Sequence, residues 1–255
     1  MDSALIVQGR VIYALMMREV HTIYGTSRLG YLWALIQTMW GIAVFWGMRY
    51  LIGARAPHGM HILMFLLAGF GFYNMFSGIV SKCMSAVNGN MALLTFPQVT
   101  PVDLMISRAI IVWATELVAA FLFIGIGILF GMPFYLSDFG GLLALLFLTP
   151  LLGLGTGMMF ASLAVIYPTL EKIIPMVMRV MFFVSGLFYS ATTLPSYALK
   201  YIWYNPLLQI VEWARVCLSR GYSTYSYSPF YLVSVTLFCL CFGLLLERYV
   251  RRRLA

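Results

Sequence analysis

The chain has 255 residues, of which 62% are hydrophobic and only 9% are charged. Because soluble domains carry about 25% charged residues, this composition excludes an ordinary soluble domain and predicts an all-α protein that crosses a membrane several times. The net charge of +8 comes from basic residues that lie between apolar segments, which favours membrane lipid headgroups over nucleic acid as the anionic partner.

Residues 1–30 are predicted to form an amphipathic helix in the plane of the membrane surface. Apolar residues recur at helical spacing beside a second, basic stripe, which is typical of interfacial helices. Such a helix serves equally well as an anchor or as a docking surface for a cytosolic partner. Because it leads directly into the first apolar segment, it is also placed to pass motion into the bilayer. The apolar stripe is Leu5, Ile12, Met16, Val20 and Ile23, and the second is Arg10, Ala14, Arg18, His21, Gly25 and Arg28.

Six apolar segments follow within residues 31–255, each of about the length that crosses the hydrocarbon core. Their short connections leave no room for a large extramembrane domain. The predicted fold is therefore a six-span membrane domain preceded by the interfacial helix. The segments are residues 32–52, 62–80, 109–130, 141–166, 173–189 and 230–246.

Basic residues predict the orientation of these spans. Ten fall on the side of the N-terminus, five on the other side, and Arg179 lies inside the fifth segment. By the positive-inside rule, both termini are predicted to be cytoplasmic. The ten are Arg10, Arg18, Arg28, Lys82, Arg108, Lys172, Arg248, Arg251, Arg252 and Arg253, and the five are Arg49, Arg55, Lys200, Arg215 and Arg220.

Two polar intervals interrupt the apolar segments. Residues 83–104 predict a short helix over residues 84–94, which Pro97 and Pro101 end. Residues 191–228 are too broken to span a membrane but are rich in Tyr and Trp. Their apolar stretch, residues 207–216, has about half the length of a span and predicts a re-entrant or interfacial helix.

Small residues mark one face of the fourth segment. Gly153, Gly157 and Ala161 recur every four residues, with Gly155 between them. Such faces let helices approach closely, so these residues are predicted to pack helices together and not to take part in transport.

Motifs for catalysis are missing from the sequence. It contains no P-loop, no zincin motif and no nucleophile elbow. His58 and His61 have no carboxylate or thiolate close to them in sequence, so no metal site is predicted. The chain is therefore not expected to be an enzyme, and energy for any transport must come from another chain.

Aromatic and charged residues in or beside the spans are candidates for a transport path or gate. Aromatic faces stack on sugar rings, but they also populate ordinary interfacial belts, so both roles stay open. Arg179 and Glu116 each fit a role on the transport path. Each also fits a role outside transport, which for Arg179 is extension of its side chain to the lipid headgroups. The path and gate candidates are Trp33, Trp40, Arg179, Phe182, Tyr201, Tyr204, Asn205 and Trp213.

Four motifs resemble a known family over nearly the whole chain. They are Arg18-Glu19 with residues 24–35 (YGTSRLGYLWAL), residues 96–103 (FPQVTPVD), residues 167–172 (YPTLEK) and residues 205–215 (NPLLQIVEWAR). The first resembles the ABC type-2 exporter permeases, and the set is similar to those that export capsular polysaccharide in Gram-negative bacteria. O-antigen or teichoic acid permeases, which share the first motif, stay open as alternatives. An ATPase-independent channel or secondary transporter also stays open.

The resemblance implies a homodimer of six-span subunits in the bacterial inner membrane, which moves lipid-linked polysaccharide. Two copies of a separate ATPase would bind ATP and Mg²⁺, and this chain would bind no cofactor. A periplasmic co-polymerase-type protein and an outer-membrane channel would complete the assembly.

The resemblance also implies roles for particular segments. Residues 85–94 would form a coupling helix docked on the ATPase, with Leu93 as its apolar peg. Residues 167–172 would make a second contact, and re-entrant helices within residues 197–215 would close the channel from outside. The residues so assigned to ATPase coupling are Ser85, Asn88, Asn90, Leu93, Glu171 and Lys172.

Overall fold

The computed structural model describes residues 4–24, 30–53, 57–96, 98–129, 131, 134–224 and 226–254. Within these ranges all regular secondary structure is helical, which confirms the all-α prediction. Short 3₁₀ helices cover Pro57–Gly59, Asn88–Leu93 and Ala191–Thr193. The α-helices are α1 (Ala4–Tyr24), α2 (Gly30–Ile52), α3 (Ile62–Met84), α4 (Pro101–Leu129), α5 (Phe139–Ile166), α6 (Leu170–Val184), α7 (Ser196–Ile202), α8 (Pro206–Cys217) and α9 (Pro229–Leu254).

Four of the described helices, α3, α4, α5 and α9, are long and apolar enough to cross a membrane. The 23 residues of α2 are also long enough to span by length. By contrast, α6 has only 15 residues, about 22 Å at the α-helical rise, against a hydrocarbon core of about 30 Å. The predicted fifth span, residues 173–189, is therefore divided between α6 and a non-helical loop, and the count of six spans stays a prediction.

The segment between α3 and α4 differs from its prediction. Residues 84–94 form the end of α3, a turn and the 3₁₀ helix Asn88–Leu93, which is kinked at Asn90. Pro101 begins α4, although a span was expected only from residue 109. Thr100 and Asp103 cap this start reciprocally, since each backbone N–H donates to the other's side chain, at 3.0 and 3.3 Å. Proline fits the first helical turn because it needs no backbone donor there.

Glycines on α5 bring the central helices into close contact. A Cβ atom on Gly155 would lie 2.7 Å from the backbone N of Leu240 on α9. A Cβ atom on Gly157 would lie 2.7 Å from the Cβ of Cys83 on α3. Only glycine permits such an approach, which confirms the predicted packing role of this face.

The two ends of the bundle carry different structures. One, termed the α1 end, holds α1, the segment between α3 and α4, and the turn between α5 and α6. The other, termed the α8 end, holds the 57–60 loop, α7, α8 and the loops beside them. The largest hydrophobic core lies around α3 and reaches α8, and a second joins α1, α3 and α4.

Candidate functional site

A polar network at the α1 end ties α1 to the start of α4 and to the segment that precedes it. The guanidinium of Arg108 pairs with Glu19 at 3.0 Å. Near the start of α1, the Gln8 amide donates to the Asp103 carboxylate at 3.1 Å. These contacts join both ends of α1 to α4, so the helix and the segment it covers form one packed unit.

Asn90 lies at the centre of this unit. Its side chain is only 5% exposed, and its amide NH₂ donates to the carbonyl of Ala86 at 3.1 Å. Its carbonyl oxygen accepts from Arg18 at 3.1 Å. Both halves of the amide are therefore satisfied, which holds the kink of the 3₁₀ helix in place.

The other predicted coupling residues lie near Asn90 or in the first turn of α6. Ser85 is exposed and accepts from Arg108 at 3.1 Å. Leu93 is half-buried against the core of α1, α3 and α4, so much of its surface already has a partner within the chain. Glu171 and Lys172 are exposed in the first turn of α6. The side chain of Asn88 lies outside the described part of the chain.

Phe96 is a surface residue that sequence reasoning missed. It follows the 3₁₀ helix and is 59% exposed, unlike Leu93. Its signal was available, since it opens one of the motifs that carried the resemblance, but exposure cannot be read from a motif. Phe96 is therefore the stronger candidate for an apolar anchor at the α1 end.

The predicted path and gate residues are divided between the surface and the interior. Phe182 packs inside, with its ring edge-on to Phe70 and Tyr73 at 5.5 and 5.2 Å. Trp213 stacks on Tyr227, with ring centroids 5.7 Å apart. The side chain of Trp33 lies outside the described part of the chain. The surface members are Trp40, Arg179, Tyr201 and Tyr204.

Asn205 is positioned by its place at the start of α8. Its side-chain oxygen accepts from the backbone N–H of Leu207 at 3.0 Å and so caps the helix. Its NH₂ group donates to Ser185 at 3.1 Å, just after the end of α6. The residue therefore begins α8 directly before Pro206 and also links α8 to the end of α6.

A buried ion pair on α8 was missed by sequence reasoning. Glu212 and Arg215 are both fully buried and pair at 3.0 Å. The guanidinium also lies 3.5 Å from the ring centre of Phe65 on α3. Arg215 was counted among the basic residues of the outer surface, but its burial removes it from that surface. The available signal was a Glu and an Arg one turn apart in an apolar helix.

Arg215 holds the loop that follows α6. It donates to the backbone carbonyls of Gly186, Leu187 and Tyr189 at 2.7, 3.2 and 3.0 Å. Gly186 has φ +73, a left-handed conformation that glycine adopts without strain. A buried loop needs partners for its backbone groups, and this guanidinium supplies three of them.

Tyr222 completes the cluster. Its hydroxyl lies 3.0 Å from each carboxylate oxygen of Glu212 and 2.5 Å from the hydroxyl of Ser190. Burial, with the nearby charge of Glu212, raises the pKa of Tyr222 to about 12, so the phenol stays a hydrogen-bond donor well above neutral pH. We term Ser190, Glu212, Arg215 and Tyr222 the Arg215 cluster.

Comparison with known proteins places this geometry in context. Residues 10–219 match the family described as ABC-2 type transporter. The chain is 28% identical over 246 residues to the polysialic acid transport protein KpsM of Escherichia coli, covering 96% of this chain and 95% of that protein. It is 26% identical over 243 residues to the capsule polysaccharide export inner-membrane protein CtrC of Neisseria meningitidis serogroup B, covering 95% and 91%. It is also 26% identical over 216 residues to the capsule polysaccharide export inner-membrane protein BexB of Haemophilus influenzae, covering 84% of this chain and 80% of that protein.

Proposed function

The chain belongs to the ABC-2 type transporter family, and on that premise we propose that it is the membrane subunit of an ATP-driven exporter of capsular polysaccharide. The observation that carries the proposal is the alignment of 84–96% of the chain with relatives named for polysialic acid or capsule export. The lipid-linked form of the polymer is the proposed substrate. ATP hydrolysis belongs to a separate ATPase, since this sequence has no P-loop.

The proposed assembly is a homodimer in the bacterial inner membrane, with two ATPase copies below it. The α1 end faces the cytoplasm in this arrangement, since the last turn of α9, at the end where α1 lies, carries Arg251, Arg252 and Arg253. In the same proposal, a periplasmic co-polymerase-type protein and an outer-membrane channel receive the polymer at the α8 end.

In this proposal, α2 and α6 are membrane helices in addition to α3, α4, α5 and α9. The translocation path runs beside α6. Arg179 is exposed midway along α6, between Met176 and Phe183, which are 66% and 62% exposed. A charged residue inside a membrane faces protein or water far more readily than lipid. This supports a hydrated path between α6 and a second subunit, in which Arg179 lies close to an anionic substrate.

Export should depend on both the chain and its ATPase. We expect a strain that lacks this chain to accumulate the polymer inside the cell, and a plasmid copy of the gene to restore surface capsule. Purified chain alone in vesicles should move no polymer, whereas the complex with its ATPase should do so when ATP is added. Transport by the chain alone, driven by an ion gradient, would favour the secondary-transporter alternative.

Phe96→Ala should weaken attachment of the ATPase. If Phe96 is the apolar anchor of the coupling surface, its truncation removes a buried aromatic contact, and we expect about tenfold less ATPase to co-purify with the chain. The matched control is Gln98→Ala, which changes an exposed polar residue two positions away. Equal ATPase recovery for the two variants would contradict a coupling role for this surface.

A further inference from the structure

The loop between α6 and α7 is held by two arginines from different helices. Arg215 on α8 binds the carbonyls of Gly186, Leu187 and Tyr189. Arg49, in the last turn of α2, donates to the carbonyl of Phe188. All four consecutive carbonyls of residues 186–189 therefore accept hydrogen bonds from guanidinium groups.

The two arginines differ in how firmly they are held. Arg215 is fully buried and carries its counter-charge, Glu212, one turn away on the same helix. Breaking its contacts would leave a charge buried among apolar residues, which is strongly unfavourable. Arg215 therefore joins the loop to α8 permanently.

Arg49 is held less firmly. Its side chain is half-buried, and its guanidinium lies 5.6 Å from the ring centre of Phe65, against 3.5 Å for Arg215. Each guanidinium has one nitrogen buried without a hydrogen-bond partner among the described residues, Nη1 in Arg49 and Nε in Arg215, so the difference between them lies in burial and in the contact with Phe65. Arg49 can therefore leave the loop at a smaller cost than Arg215 can.

The two anchors join the loop to different helices. The Arg215 cluster joins α8 to the following loop through Tyr222, and Phe65 joins it to α3. On α2, Phe45 also contacts the loop, with its ring centre 4.5 Å from that of Phe188. A displacement of α2 relative to α8 would thus break the contacts of Arg49 and Phe45 with the loop and leave the Arg215 contacts intact.

We propose that Arg49 is a releasable latch, a positioning residue that holds loop 186–189 against α2 until the α8 end opens. Arg215 keeps the same loop on α8 throughout. This inference rests on the proposed export function, because opening of the α8 end is the step that releases polymer.

Arg49→Gln should raise the rate of ATP hydrolysis in the absence of polymer without unfolding the chain and without stopping export. In the purified complex with its ATPase, we expect about a tenfold rise in the ATPase rate without polymer, since the hydrogen bond of a charged donor is lost from the closed state. Arg49→Lys keeps a cationic donor and should return the rate most of the way to the wild-type value. The unfolding temperature should change little in either variant.

A wild-type ATPase rate in Arg49→Gln would overturn the latch. So would a fall in unfolding temperature as large as that of Arg215→Gln, because Arg49 would then be a structural anchor of the same kind. Equal ATPase rates for Arg49→Gln and Arg49→Lys would also overturn the latch, because the effect would then not depend on a cationic donor at this position.

A reversible cross-link separates the latch from the export function itself. In a variant without the native cysteines, Arg49→Cys and Phe188→Cys can be joined by a short bifunctional thiosulfonate and released by a reductant. We expect the released form to export polymer and the joined form to stop, while either single cysteine variant exports after the same treatment. Export by the joined form would overturn the latch. Failure of the unmodified complex to export would instead overturn the proposed function.

Discussion

Glu212→Ala is expected to destabilise the protein by about 3–5 kcal/mol, because it leaves the Arg215 guanidinium buried without its counter-charge. The loss should extend beyond one bond, since Glu212 also accepts from the backbone N–H of Ala191 at 3.1 Å and contacts Tyr222. Both the loop after α6 and the loop before α9 depend on this carboxylate. We expect little of the variant to accumulate in the membrane, and its unfolding temperature in detergent to fall by about 10 °C.

Two further variants make this result specific. Lys200→Ala removes a charge from the exposed surface of α7 and should change the free energy of unfolding by about 0.5 kcal/mol or less. Tyr222→Phe removes one donor and leaves both charges, so its effect should lie between those of the other two variants. An unfolding temperature for Glu212→Ala equal to that of Lys200→Ala would show that the buried pair does not support the α8 end.

Gly155→Ala is expected to disrupt the contact between α5 and α9. Its new Cβ atom would lie 2.7 Å from the backbone N of Leu240 and 2.8 Å from the backbone C of Cys239. Backbone atoms cannot rotate away as a side chain can, so the two helices must separate along their contact. We expect a loss of about 3 kcal/mol, measured as a lower unfolding temperature and as lower abundance in the membrane.

Gly125→Ala is the matched control for Gly155→Ala. Gly125 also lies inside a long apolar helix, α4, but a Cβ atom there meets nothing within 4 Å. Because alanine favours a helix over glycine, this change should be neutral or stabilising by up to about 1 kcal/mol. Equal effects of the two substitutions would mean that the close approach of α5 and α9 does not limit stability.

Helices with a strong local signal were predicted nearly to their ends. Residues 141–166 were expected as a span and form α5, Phe139–Ile166, because a continuous apolar stretch between polar residues determines both length and type. The start of α4 was predicted less well, since Pro101 was interpreted as the end of a helix. Proline is compatible with both positions, and the cap from Thr100 and Asp103 decides between them.

The faces of the predicted site residues could not be read from the chain alone. Arg179 and Phe182 lie three residues apart on α6, yet one is exposed and the other packs against Phe70 and Tyr73. Helical spacing shows which residues share a face, but neighbouring helices decide which face is covered. For the same reason, the resemblance assigned Leu93 as the apolar peg without showing that the fold half-buries it and leaves Phe96 exposed.

The sequence by itself determined that this is a helical membrane protein and, through its motifs, to which family it belongs. The length of an apolar segment and the presence of a short motif are local properties of the sequence, so both can be identified without knowledge of tertiary contacts. Only the tertiary structure decided that Arg215 is an interior residue, because the carbonyls that surround it belong to residues 26 to 29 positions earlier in the chain. A buried charge is stable only where the fold supplies such distant partners, and no local pattern contains them.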